Sequence, residues 1–305
     1  MDAAKSVVAV AGGTGFVGGA IARELASRGH RVIVLTHRKP SGEPGGSFEY
    51  RMTDVTKPES IGAALVGVDV LVISLGFRNS PVEAPRRGRT FEEVDAAGTQ
   101  ALVAAARQSG VRRIVYMSGA GAAPDARRHW YRAKWRAEEA VRGSGIVFTI
   151  FRPSWIYGPG DRSLNRFLGF ANWLPFIPQI GNGRQLLAPV LVSDVGALVA
   201  DAIATPAAEN VTLEVGGPET LTMDEIVRAA LRASGRRRPI LHAPVFLMKL
   251  ATRPLTLLPS PPMTPDAIDF VVASAPVDTD LLRQRLPRRL TPLAEGLASY
   301  LSPRR

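Results

Sequence analysis

The stretch Val7-Val8-Ala9-Val10-Ala11-Gly12-Gly13-Thr14-Gly15-Phe16-Val17-Gly18-Gly19 decides the reading of this chain. A short β-branched run (Val7, Val8, Val10) enters a glycine loop, and Phe16 to Ser27 continues as an amphipathic helix. Gly12, Gly15 and Gly18 stand as GxxGxxG, while Gly13, Gly15 and Gly18 also fit GxGxxG. Glycines at such places let the backbone turn tightly, approach a pyrophosphate and pack helix on strand. The helix N-terminus then offers unpaired N–H groups and a positive dipole end. Strand, loop and helix in that order predict a dinucleotide site rather than a merely structural turn.

Working outward, strands are expected at Lys5–Ala11, Arg31–Thr36, Ser47–Met52, Val68–Ser74, Arg113–Ser118 and Val147–Phe151. Helical stretches fall between them at Phe16–Ser27, Pro58–Val66, Thr90–Ser109 and Trp130–Arg142. This alternation implies βαβ units and a parallel sheet, and Val32–Leu35 and Val70–Ile73 are the continuous apolar runs of buried parallel strands. Gly29, Gly110 and Gly145 stand where helix C-caps belong. Beyond Arg152 the texture changes to Gly, Pro and aromatics through Pro189. A helix at Leu191–Ile203, an edge strand at Val211–Val215 and a helix at Thr222–Ser234 follow, the last opened by a Thr222/Glu225 capping box. The tail from Arg236 reads as irregular, with one apolar stretch at Phe246–Leu258. The fold class is α/β, a Rossmann-type doubly wound parallel sheet with a smaller C-terminal substrate-binding subdomain. Residues 1–156 with about 189–216 are assigned to the first, and about 157–188 with 217–305 to the second.

Composition removes several classes. The 305 residues contain no cysteine, which excludes disulfides, thiolate metal sites and a cysteine nucleophile. His30, His37, His129 and His242 form no ligand spacing, so no metal is expected. No signal peptide is read at the N-terminus, and no apolar run reaches membrane-spanning length, so a cytoplasmic protein is expected. The net charge of +11 is nearly all arginine. It accompanies no nucleic-acid module, so nucleic acid is not an expected partner, whereas attraction to an anionic membrane face or a phosphorylated ligand stays open.

Several segments together resemble the extended or atypical short-chain dehydrogenase/reductase superfamily, closest to the group of the NDUFA-nine type accessory subunit of respiratory complex I. They are AGGTGFVGG (11–19), MTDVTKPES (52–60), VDVLVISLG (68–76), AGTQALVAAARQSGVRRIVYMSG (97–119), KWRAEEAVRGSG (134–145), TIFRPSWIYGPGD (149–161), PVLVSDVGALVADAI (189–203) and LEVGGPETLTMDEI (213–226). The resemblance implies that Gly12, Thr14, Gly15, Phe16, Val17 and Gly18 wrap the pyrophosphate. It places Asp54 and Val55 at the adenine, Ser74, Leu75 and Gly76 at the ribose and nicotinamide side, and Arg152, Pro153 and Ser154 over the nicotinamide end. For Asp54 a turn or N-cap role is the competing reading.

NADP(H) is favoured over NAD(H). NAD-selective sites place a carboxylate at the end of the second strand for the ribose 2′-hydroxyl. Here that place reads Thr36-His37-Arg38-Lys39, with no acid before Glu43, and the Arg38 guanidinium suits a 2′-phosphate.

The superfamily's reductive chemistry uses a YxxxK pair with a nearby hydroxyl, the lysine holding the ribose and the tyrosine passing the proton. Here Trp130 stands four before Lys134, and Tyr131 stands three before it. At about 100° per residue, these positions lie roughly 40° to one side of the lysine and 60° to the other. Tyr131 can therefore share the lysine's face from a shifted place. The alternatives are a site that only binds cofactor, or a proton from another acid or water. Ser118 is the only hydroxyl of its loop, with a strand-end hydrogen bond as its plainer use. Asp95 stands where the family often has asparagine, and reads most simply as a helix-surface acid.

The expected cleft segment, Phe167 to Pro178, is apolar apart from Asn172. It lacks the polar groups that a sugar nucleotide requires. A small apolar substrate, quinone- or isoprenoid-like, is the expectation, and core packing explains the same residues. For Val245–Ala251 a core helix or cleft lid is preferred over a membrane-surface helix. The leading function is an NADP(H)-binding oxidoreductase-like protein. The competitors are a non-catalytic NAD(P)H-binding module of a complex and a sugar-nucleotide epimerase or dehydratase. A peripheral place at a membrane or on a respiratory complex stays open, and no oligomeric state is read.

Overall fold

Seven strands form one parallel sheet in this computed structural model, which describes residues 5–37, 48–77, 79–259 and 261–301. They are β1 (Val7–Ala11), β2 (Arg31–Thr36), β3 (Phe48–Met52), β4 (Val70–Ile73), β5 (Arg113–Met117), β6 (Val147–Pro153) and β7 (Val211–Val215), in the order β7-β6-β5-β4-β1-β2-β3. Every pairing in this sheet is parallel. The order reverses direction between β1 and β4, which opens a crevice at the carboxyl ends of those strands. The expected doubly wound α/β architecture is what the chain adopts, with β7 at one edge as read from the sequence.

Helices cover both faces. On one side α1 (Phe16–Ser27) packs its Ile21 and Leu25 with strand residues such as Val8 and Val34. On the other lie α2 (Gly98–Gln108) and α3 (His129–Arg142), whose Leu102, Ala106, Ala137 and Val141 bury against Ile33, Leu71 and Ile114. The helix expected over Thr90–Ser109 exists in two parts: a wide, π-turned segment, Phe91–Ala97, runs directly into α2. The stretch Pro58–Val66 likewise splits, into a 3₁₀ turn at Pro58–Ser60 and one helical turn at Ile61–Ala64. Gly29, Gly110 and Gly145 all have positive φ, as C-cap glycines require.

Beyond β6 the chain builds a second cluster. α4 (Leu164–Trp173) contributes Leu164 and Leu168 to it. α5 (Val192–Ala204) returns to the sheet beside α1, and α6 (Met223–Ala233) adds Ile226 and Val227 to the second cluster. The capping box is present, Thr222 accepting from the Glu225 amide and Glu225 from that of Thr222. The tail is more ordered than its sequence predicts. A strand at Ile240–Ala243 pairs with Ile177–Ile180, and α7 (Val245–Thr252) and α8 (Pro265–Val271) come after it. Residues 280–286 come back to the sheet, where Leu282 and Leu286 complete the core beneath α1 and α5.

Candidate functional site

The glycine loop is shaped by backbone contacts that leave no room for side chains. Gly12 has φ +83°, and a Cβ there would fall far inside contact with the Ser74 carbonyl oxygen. A Cβ on Gly18 would overlap the Gly12 carbonyl in the same way, and one on Gly13 would sit 3.0 Å from Val34 Cγ1. The Gly15 amide donates to the Gly12 carbonyl at 2.9 Å. Gly15 is the N-cap of α1, and no side chain caps that end. Thr14 and Gly15 are exposed, while Phe16 and Val17 are half-buried at the start of the helix. The loop therefore presents bare amides at the crevice, with Ser74, Leu75 and Gly76 leaving β4 on its other wall. The residues present fit a bound pyrophosphate.

Asp54 and Val55 come directly after β3. The Asp54 carboxylate accepts from the Thr56 amide at 3.0 Å and the Thr56 hydroxyl at 2.7 Å. Burial would raise its pKa, but these bonds outweigh it and hold the carboxyl below its ordinary value. Val55 packs toward Gly98 together with Leu75. Arg38 lies outside the described residues.

Three side chains expected at the nicotinamide end are each engaged elsewhere. Ser118 Oγ donates to Glu138 Oε1 at 2.6 Å, and Glu138 is fully buried. The same carboxylate takes both arms of Arg152, at 2.8 and 2.6 Å, and Nη2 of Arg142 at 2.5 Å. Both guanidinium groups lie over the Trp135 ring. Glu138 holds the Arg152 guanidinium above its ordinary pKa. Ser154 Oγ donates to the Ala275 carbonyl at 2.5 Å and accepts from the Ala188 amide at 3.0 Å, while the Pro153 carbonyl accepts from the Ala120 amide.

Lys134 lies on α3 with Nζ 2.5 Å from Asp95 Oδ1 and donates to the Met117 carbonyl at 3.3 Å. Burial would lower the ammonium pKa, but the Asp95 charge more than reverses this and holds it above its usual value. Burial pushes the Asp95 carboxyl up, against the pull of Lys134. Asp95 is only 2% exposed, which corrects the surface-acid reading. The wide turn of Phe91–Ala97 carries it inward, and such turns recur at functional sites. Its Oδ2 has no hydrogen-bond partner among the described residues.

Trp130 is buried in an aromatic wall rather than replacing tyrosine in kind. Its ring lies 5.6 Å from that of Tyr131, 5.4 Å from Phe270 and 6.4 Å from Phe91, and Phe77 meets Phe91 edge-on at 5.0 Å. Tyr131 is half-buried against Gly121, and its hydroxyl makes no hydrogen bond among the described residues. Phe270 comes from α8, which is clamped over the wall. Asp269 takes Arg128, just before α3, and Lys249 of α7, each at 2.5 Å. His129 pairs with Glu83 at 2.7 Å on the flank of the same wall.

A family model described as NAD(P)H-binding matches residues 12–168, more than half of the chain. The chain is 30% identical over 244 residues to the ceramide reductase of Caulobacter vibrioides, covering 79% of this chain and 74% of that one. It is also 30% identical over 230 residues to the mitochondrial NADH dehydrogenase [ubiquinone] 1 alpha subcomplex subunit 9 of Arabidopsis thaliana, covering 72% of this chain but 56% of that protein. The chain belongs to the NAD(P)H-binding extended short-chain dehydrogenase/reductase superfamily. A solved UDP-N-acetylglucosamine 4-epimerase from Bacillus cereus superposes with a TM-score of 0.72 over 97% of this chain and 98% of that one. At 19% identity this likeness speaks to the fold.

The glycine cradle lies before α1 and Lys134 on α3, where the sequence resemblance expected them. Sequence reading missed Glu138, Glu83 and Asp269 altogether. Glu138 stands four residues after Lys134, on the same helix face, and that spacing was the available signal. Asp269 lies 141 residues from the arginine it holds, so no local pattern marks it.

Proposed function

We propose that the protein is an NADP(H)-preferring oxidoreductase of the atypical type acting on an apolar, quinone- or isoprenoid-like ligand. The observation that carries this reading is the wall of Phe77, Phe91, Trp130, Tyr131 and Phe270 on the elements that bear Lys134 and Asp95. Tyr131 and Phe270 are the members that reach the surface, the other three being buried behind them, and such rings stack a flat or branched apolar body and offer little to sugar hydroxyls. Bound nicotinamide would supply the hydride. The amides of Phe16 and Val17, at the uncapped start of α1, would hold the pyrophosphate with Gly15 beside them, and Lys134 the nicotinamide ribose. Tyr131 carries an uncommitted hydroxyl on the lysine's helix and is assigned the proton. Arg38 is assigned the 2′-phosphate on the sequence argument alone. In this reading residues 1–156 with 189–216 bind the cofactor, and 157–188 with 217–305 form the substrate side.

A second reading is favoured by the engagement of Ser118 with Glu138 and of Lys134 with Asp95: a module that holds NAD(P)H unchanged, docked on a respiratory complex as the NADH dehydrogenase relatives are named for. Fluorescence titration with NADPH and NADH, followed by an acceptor screen starting with quinones, separates the two. Tight NADPH binding with oxidation by an apolar acceptor, lost in Tyr131→Phe, supports the first. Binding without turnover supports the second. Equal affinity for NADH removes the Arg38 assignment, and binding of neither nucleotide sinks both readings.

A further inference from the structure

Burial speaks against the core role for α7, because only Thr252 of its eight residues is buried. Phe246 is 69% exposed, Leu250 65% and Leu247 48%. At about 100° per residue these three fall on one side of the helix, with Ala251 beside them. The next turn, Pro254–Leu257, continues the surface with Leu257 at 79%. Single exposed apolar residues are ordinary, whereas a contiguous face of them marks a docking surface.

The charge of the surrounding chain says what docks there. Between Glu225 and Asp266 there is no acidic residue, while Arg228, Arg232, Arg236, Arg237, Arg238, Lys249 and Arg253 all fall in that interval. Arg237 and Arg253 are exposed and form no ion pair among the described residues, and Arg236 and Arg238 reach only backbone carbonyls. Lys249 is turned to Asp269, so the outward face of α7 itself carries no charge. An apolar helix face in an acid-free, arginine-rich stretch matches the interface of an anionic bilayer: hydrocarbon for the leucines, phosphate for the guanidinium groups.

We propose that α7 and the turn after it form a membrane-docking face that rests in the interfacial layer of anionic lipid. The face connects directly to the candidate site. Lys249 and Arg128 share Asp269, and the next residue, Phe270, stacks on Phe91 and meets Trp130 edge-on. A ligand leaving the bilayer beside α7 thus meets the aromatic wall after one helix. The surface serves a catalytic and a non-catalytic protein alike.

The test is co-sedimentation of the full chain with vesicles of phosphatidylcholine alone and of phosphatidylcholine with phosphatidylglycerol. Binding to the anionic vesicles, weakened by salt and reduced about a hundredfold in Phe246→Glu/Leu250→Glu, is expected from loss of two buried apolar side chains. Thermal unfolding and NADPH titration of that variant should match the parent, since both side chains are exposed. Failure of the parent to bind anionic vesicles overturns the proposal, as does undiminished binding by the double variant. A parent that ignores vesicles but loses self-association on the double substitution identifies the face as a contact between copies of this chain. Vesicle binding stands or falls without reference to turnover, so its outcome is separable from that of the proposed reaction.

Discussion

The glycine loop and the lysine corner face the same crevice, yet they are built on opposite principles. At the loop, the proposed function depends on absent side chains: Gly12 and Gly18 are fixed by contact with the Ser74 and Gly12 carbonyls, and the groups proposed to bind are main-chain amides. At the corner everything depends on side chains, and most of them already have a partner. Ser118 and Arg152 go to Glu138, and Lys134 goes to Asp95. A backbone device tolerates divergence around it, because few substitutions can move it. A side-chain device is rewired by single changes, as at Trp130 and Asp95, which the resemblance sets apart from the superfamily's tyrosine and asparagine.

The largest test of this contrast is Glu138→Ala. It leaves the half-buried Arg152 charge without its carboxylate, and a loss of about 3–5 kcal/mol in denaturant unfolding is expected. A loss under about 1 kcal/mol would show the network to be solvated and the corner to be looser than its geometry. Next comes Gly12→Ala, where positive φ and the Ser74 carbonyl both oppose a Cβ. A cost of about 2–3 kcal/mol together with weakened NADPH binding is expected. Thr14→Ala, on an exposed neighbour, should change stability by less than about 0.5 kcal/mol.

Asp95→Asn should act through the lysine. In the parent, Asp95 holds the Lys134 ammonium above its ordinary pKa, so its charge survives past the usual lysine titration. With asparagine there, the largest of the raising influences is lost, burial is opposed only by the neighbouring Tyr116, and the ammonium titrates lower than in the parent. NADPH quenching by the parent should therefore stay level as pH rises toward 10.5, whereas the variant should lose affinity earlier. Coincident profiles would remove Lys134 from nucleotide binding.

A smaller effect than at Glu138 is expected at Asp201, its half-buried counterpart. It also holds two arginines, Arg28 at 2.6 Å and Arg288 at 2.6 and 3.0 Å. Burial would raise its pKa, but the two guanidinium groups outweigh it and the carboxyl titrates below 3.8. Its contribution is thus present above pH 3.8 and lost as pH falls through the depressed value. Asp201→Asn should cost about 1 kcal/mol near neutrality and flatten the decline of stability below about pH 4. An unchanged acid limb would assign the decline to other carboxylates.

The loop was legible in the sequence because its determinants are local. The β-branched run, the three glycines and the apolar helix face lie within about twenty residues, and each element forms where expected. The sheet strands were legible for the same reason, to within a residue or two at most ends. The corner was not, because its determinants are tertiary or concern helix register. Asp95 reads as a surface acid on regular helical spacing and turns inward only because Phe91–Ala97 is wound wider. Asp269 clamps residues distant in the chain. The exposure of α7 was hidden because an apolar octapeptide looks the same whether a core or a solvent face awaits it.

That wider winding has one more consequence. A π-turn holds an extra residue relative to an α-turn, so it acts as a phase shifter between α2 and the chain upstream of it. Shortening Phe91–Ala97 by one residue would advance the upstream side chains by roughly 100° relative to α2. A neighbour of Asp95 would then face Lys134, and the lysine would lose its counter-ion without any change to either charged residue. The charge state of this corner is thus written in the length of a turn as well as in the identity of its acid.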